Sequence, residues 1–148
     1  MSSTKYTLRV YGFLVKDDKV LISSEHFKGK HLFKFPGGGM EEGEGTKDAL
    51  IREFDEELGL AVEVLQHVYT TDFYLNSVFD PAYQVMSIYY RVEAKESLSF
   101  ETRPKGEIPK PGDSESFQWW EISDLKSEMF TFPTEAKAFE AFRTLFNY

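Results

Sequence analysis

Hydrophobic and polar positions along the chain alternate between strand-like and helix-like periods. Residues 7–15 (TLRVYGFLV) are almost all apolar, β-branched or aromatic and predict a strand. The polar tetrapeptide at 16–19 predicts a turn, and Val20-Leu21-Ile22 the returning strand of a hairpin. Residues 23–31 are polar and read as a loop. Residues 32–35 predict a short strand, stopped by Pro36 and three glycines. The pattern then turns helical. Residues 46–58 (TKDALIREFDEEL) predict a helix with Thr46 as N-cap, Asp48 in the first turn and Gly59 as the stop. Residues 61–73 alternate and predict a long strand. Residues 75–82 form a connection that turns at Asp80-Pro81, and 84–94 carry the strongest strand pattern of the chain. Residues 95–116 hold three of the six prolines and predict a loop with a short strand at 98–100. A strand at 117–122 and a helical turn at 123–125 follow. Residues 134–147 place Ala138, Phe139, Phe142, Leu145 and Phe146 on one side at helical spacing, which predicts a packing helix.

Length and composition narrow the class. The 148 residues carry no internal repeat, low-complexity stretch or linker, so one domain over 1–148 is expected. There is no cysteine, which excludes disulfides, thiolate zinc sites and a cysteine nucleophile. No apolar run approaches the ~18 residues of a membrane span, and the first dozen residues lack a secretory signal pattern. The expectation is a soluble cytoplasmic protein with no membrane partner. A net charge of -8 argues against binding polymeric nucleic acid. It does not argue against a small phosphorylated ligand held through a divalent cation.

The 46–58 helix carries Glu53, Asp55, Glu56 and Glu57 within five residues. At about 100 degrees per residue, Glu53, Glu56 and Glu57 share an arc of about 100 degrees, and Asp55 points elsewhere. Phe54, Leu58 and Ile51 form a second arc expected to bury, and Ala49 falls on the acidic side one turn earlier. Like charges at these spacings cost a helix ~0.2–0.5 kcal/mol per pair. A hard divalent cation, Mg²⁺ or Mn²⁺, offsets that cost and supplies charge for phosphate chemistry. The alternative is a solvated acidic face, which ordinarily carries lysines at i±4; these acids have none. The Gly37-Gly38-Gly39 run lets backbone approach a ligand, and Arg52 can bridge to Glu44. Arg9 and Lys28 are candidate substrate contacts, with solvated side chains as the alternative; Lys30 shares that choice. His26 and His31 lack a ligand spacing.

Gly38, five residues, Glu44, seven residues, then Arg52-Glu53-Phe54-Asp55-Glu56-Glu57-Leu58-Gly59-Leu60 resembles the signature box of the Nudix hydrolases, G-x5-E-x7-R-E-U-x-E-E-x-G-U with U a bulky aliphatic. All fixed positions match, with Phe54 an aromatic at an aliphatic position. Phe35-Pro36-Gly37 and Trp119-Trp120-Glu121 resemble the flanks of that family. The resemblance implies an α/β fold, the Nudix-type α/β/α sandwich with a mixed β-sheet. It implies hydrolysis of a nucleoside diphosphate linked to another moiety, by attack of water on a phosphorus of the diphosphate. It implies metal ligation by Glu53, Glu56, Glu57 and the Gly37 carbonyl, orientation of Glu53 by Arg52, and structural roles for Gly38, Glu44 and Gly59. The general base varies within the family: Glu53 or Glu56 of the box, or a later acid, here Glu115 and secondly Asp113.

The box specifies a reaction and not a substrate. Subfamily markers outside it are absent, and specificity is expected in the loops at 23–31, 75–83 and 95–116. Phe73, Tyr74, Phe79 and Tyr83 are either core or a stacking wall for a base. A non-catalytic sensor or interaction domain of the same fold is the alternative to an enzyme. Family members are often dimers, so a homodimer is open. Isoprenoid diphosphate isomerase chemistry relies on a cysteine that this chain lacks.

Overall fold

The structure of residues 5–148 is described from a computed structural model. In chain order the strands are β1 (Lys5–Lys16), β2 (Lys19–Phe27), β3 (Lys30–Lys34), β4 (Gly37–Gly39), β5 (Val62–Thr70), β6 (Tyr83–Ala94) and β7 (Ser116–Glu121). The helices are α1 (Thr46–Leu58) and α2 (Pro133–Phe146).

β1 organises the sheet. It pairs in parallel with β6 from Lys5↔Tyr83 to Leu14↔Val92, antiparallel with β4, and through a tight turn with β2. β5 extends the sheet antiparallel to β6, and β2 carries β3 on one side and β7 on the other. The sheet is therefore mixed. From Val10 to Leu14 β1 is buried on both faces, which is why that stretch is continuously apolar instead of alternating. Tyr11 and Phe13 pack with Ala138, Phe139 and Phe142 of α2, and the Phe13 and Phe142 rings stack at 4.4 Å. Val10 and Leu14 pack with Ala49, Leu50, Phe54 and Leu58 of α1. One helix thus lies on each face, giving the α/β sandwich that the motif implied. Each fully buried aromatic of this kind contributes roughly 1.5–3 kcal/mol through area removed from water. The Phe54 ring is accommodated by Gly12 of β1, where an added Cβ would meet Phe54 at 2.8 Å.

The structure corrects several expectations. Residues 23–31 are not a loop: β2 runs to Phe27 and β3 starts at Lys30, joined by a turn with positive φ at Lys28 and Gly29. Their polar side chains hid the strands because one face lines a cavity. The glycine run is a strand, β4. The N-cap of α1 is Gly45, whose N–H is accepted by the Asp48 carboxylate at 3.3 Å, and not Thr46. Thr46 Oγ1 instead hydrogen-bonds the Tyr90 hydroxyl. Ala49 is fully buried and Ile51 is 41% exposed, the reverse of the arc reading. Leu145 is also exposed, and residues 98–100 form no strand. Gly59 ends α1 in the left-handed region, its N–H donating to the Asp55 carbonyl at 2.9 Å. Among the described residues no helix is long and apolar enough to cross a membrane.

Candidate active site

Backbone stereochemistry seats the acidic helix. In β4, Gly37 lies opposite Tyr11 and Gly38 opposite Val10. Gly37 has φ +149°, and a Cβ there would fall 2.0 Å from the Val10 carbonyl oxygen, so a side chain does not fit. A Cβ on Gly38 would lie 2.7 Å from the carboxyl carbon and both oxygens of Glu53. The bare backbone of Gly38 is the surface on which the Glu53 carboxylate rests.

Arg52 ties the helix to the loop before it. Its guanidinium donates to both oxygens of Glu44, at 2.5 and 2.9 Å, to Glu53 at 3.1 Å, to Glu56 at 3.1 Å and to the Gly39 carbonyl at 2.9 Å. Glu44 also accepts the Glu41 N–H. These bonds, Arg52 first, hold the Glu44 carboxyl below the usual carboxylate range.

The three box glutamates have different environments. Glu57 sits beside the buried arc of α1, about 20 degrees from Leu50 by helical angle, and Glu56 lies on the far side of Glu53. Glu56 is 56% exposed and pairs with Arg52. Glu57 is largely buried, and its Oε2 has no hydrogen-bond partner. Burial, then the charges of Glu115 and Glu53, push its carboxyl up to about 9, against the opposing pull of Lys34. Glu115 reaches this point from the start of β7. It accepts a hydrogen bond from Ser23 and lies 3.5 Å from the Lys34 ammonium. Lys34 also faces Glu25 at 3.9 Å. Burial opposes the charge of Lys34, but Tyr11, Glu115, Glu57 and Glu135 outweigh it and raise its pKa.

The donors fit a hard divalent cation: the carboxyl oxygens of Glu53, resting on the Gly38 backbone, and of Glu57, whose Oε2 is buried without a hydrogen-bond partner and which gives up its proton to a bound cation. Glu56 would join them on leaving Arg52. As they stand, no three His, Asp or Glu side chains among the described residues already form a cation cage.

Beyond Lys34 opens a cavity of about 690 Å³, bounded by β1, β3, β6 and the segments 75–79 and 131–135. Arg9 lines it, its Nε donating to the Tyr11 hydroxyl at 2.5 Å. Lys28 stands at the β2–β3 turn with its ammonium over the Phe27 and Phe79 rings, and Lys30 lines the cavity. Phe79 and Tyr83 line it as well, whereas Phe73 lies under Lys137 and Tyr74 is exposed. Segment 131–135 bounds the cavity in place of loop 95–116, which lines a separate hollow of about 310 Å³ next to Glu115 and Asp113. Sequence reasoning missed Lys34, Glu25 and Glu135. One signal was present: Lys34 interrupts the short apolar strand 32–35.

Residues 5–142 match the NUDIX domain, and the chain belongs to that family. It is 28% identical over 124 residues to an ADP-ribose pyrophosphatase of Methanocaldococcus jannaschii, covering 82% of this chain and 65% of the relative. It is 44% identical over 43 residues to an RNA pyrophosphohydrolase of Shewanella piezotolerans, covering 29% of this chain and 25% of the relative. The match thus spans from a quarter to just under two thirds of these relatives. Among solved structures, the E. coli ORF135 protein superposes with a TM-score of 0.70 at 21% identity, covering 95% of this chain and 91% of that one. A MutT NUDIX hydrolase of Burkholderia pseudomallei gives 0.68 at 22% identity, covering 93% and 98%. At these identities the superpositions establish the fold alone.

Proposed function

We propose that residues 1–148 act as one domain, a metal-dependent pyrophosphohydrolase that cleaves the diphosphate of a nucleoside diphosphate linked to another moiety. The observation that carries the proposal is the largely buried Glu57 carboxyl, whose Oε2 has no hydrogen-bond partner, next to the Glu53 carboxylate that rests on Gly38 and close to Glu115. A carboxylate desolvated among other acids is destabilised until a cation meets it. Bound there, Mg²⁺ or Mn²⁺ neutralises phosphate oxygens and makes water a better nucleophile. Arg52 holds Glu53 and the loop in register. Arg9, with Lys28 at the rim, receives the anionic substrate. Water forms a new bond to one phosphorus while the bridging oxygen departs with the other phosphate. The water proton passes to Glu115 or to a box glutamate. Ser23 and Lys34 hold the Glu115 carboxylate in place near Glu57.

The test is product release from a panel of nucleoside diphosphate derivatives with Mg²⁺ or Mn²⁺. Turnover should stop on adding EDTA, and Glu56→Gln or Glu57→Gln should lower it by ~10²-fold or more, because a charge beside the phosphoryl group is lost. Wild-type rates in both variants would overturn the site. Tight binding of one panel member with no turnover of any would favour the sensor alternative.

A further inference from the structure

The acids of the site share one cation that the chain itself supplies. Lys34, the last residue of β3, is 4% exposed and carries its ammonium among side chains from neighbouring strands. It lies opposite Ser23 of β2, and Ser23 lies opposite Phe117 of β7 on the other side. The Lys34 Nζ is 3.5 Å from Oε2 of Glu115, which precedes β7, and 3.9 Å from Oε1 of Glu25 in β2. The Tyr11 ring faces it at 5.7 Å. Both carboxylates are largely withdrawn from solvent. The charge of Glu115 is felt at Glu57 and at Glu25, and Lys34 counters it at each. Three carboxyl groups from α1, β2 and the approach to β7 thus surround one ammonium. The Glu57 Oε2, without a hydrogen-bond partner, belongs to the same set.

Resting on the metal site read above for Glu53, Glu56 and Glu57, we propose that Lys34 is the resident second cation of this site. Its ammonium fills the gap between Glu25 and Glu115 and limits the nucleotide-free protein to one divalent ion. Carboxylate oxygens gathered at this density suit a hard divalent ion. Here a side chain stands in the gap instead. A tethered ammonium is present at a fixed effective concentration, whereas an ion has to be captured from solution and partly dehydrated. An ion entering the same gap would meet the ammonium within about 4 Å and be repelled. Two-metal phosphate sites divide the neutralisation between two ions about 3.5–4 Å apart. Lys34 supplies one unit of that charge permanently, so only the ion at the box glutamates has to be acquired.

The test is a count of bound Mn²⁺ in the full chain without nucleotide, by calorimetry and by the paramagnetic resonance signal of the free ion. The wild type should bind one ion per chain. Lys34→Met keeps the length of the side chain without its charge and should bind two. Lys34→Arg restores a cation and should return the count to one, which a merely space-filling role for Lys34 does not require. Adding Glu25→Gln and Glu115→Gln to Lys34→Met should abolish the extra ion and leave the first. If Lys34→Met does not fold, Lys34→Gln serves in its place, and the wild-type count stands without either. Two ions in the wild type, or one ion in the wild type and in the neutral Lys34 variants alike, would overturn the proposal. No ion in any of these proteins would overturn it together with the metal reading of the box. No ion in the wild type but one in Lys34→Met would overturn the box reading alone, with the place of the ammonium upheld.

Discussion

Glu57→Gln should stabilise the metal-free protein, even though it removes a residue of the site. The native carboxyl sits at about 9 against an ordinary value of 4.5. Below the lower value both folded and unfolded states hold the proton. Between the two, the unfolded chain releases it and the native state keeps it, so stability falls as pH rises. The slope is about 1.4 kcal/mol per pH unit. At pH 7 the penalty reaches an upper bound of about 3 kcal/mol, by the same relation. Glutamine carries no such penalty but leaves a buried amide group unpaired, which costs about 1–2 kcal/mol. The net gain is about 1–2 kcal/mol, or a Tm higher by roughly 3–6 °C for a chain of this size. Near pH 5 the carboxyl penalty is smaller than the amide cost and the advantage should vanish. Mg²⁺ at about 100 times its Kd should stabilise the wild type by about 2.7 kcal/mol and the variant far less. Calorimetry in EDTA at both pH values, then with Mg²⁺, reads all four quantities. A variant less stable than wild type in EDTA at pH 7, an advantage that grows toward pH 5, or an equal response to Mg²⁺ would refute the reasoning.

Two further substitutions probe the glycines. Gly38→Ala drives a methyl to 2.7 Å from the Glu53 carboxylate; kcat should fall by about 10²-fold, since displacements of about 1 Å cost that much, while far-UV circular dichroism stays native. Gly12→Ala collides with the Phe54 ring at 2.8 Å and should cost about 1–3 kcal/mol in urea unfolding, and adding Phe54→Leu should recover most of it, a coupling that a double-mutant cycle measures.

Elements governed by local rules were legible before the structure. The bounds of α1 follow from helix formers, an acidic first turn and a glycine that ends it with positive φ. The spacing from Gly38 to Leu60 carried the family assignment. Elements whose pattern depends on a distant partner were not legible. The strands at 23–31 looked like a loop because their outward residues face a cavity closed by segment 131–135. Phe54 needed Gly12, which lies in another element.

The sequence by itself determined the box, the helix that bears it and the set of acids able to meet a cation. These rest on backbone stereochemistry and helical period, which act within a few residues. Only the tertiary structure decided which acid is costly to ionise. Glu56 and Glu57 are adjacent and chemically identical, yet one faces solvent and Arg52. The other is buried against Glu115, whose own partner Ser23 lies 92 residues away in sequence. The same holds for Lys34 and Glu135, ordinary charges in the sequence that folding desolvates side by side. Charge energetics depend on the surrounding dielectric and on neighbours in space, and neither is a property of the local chain.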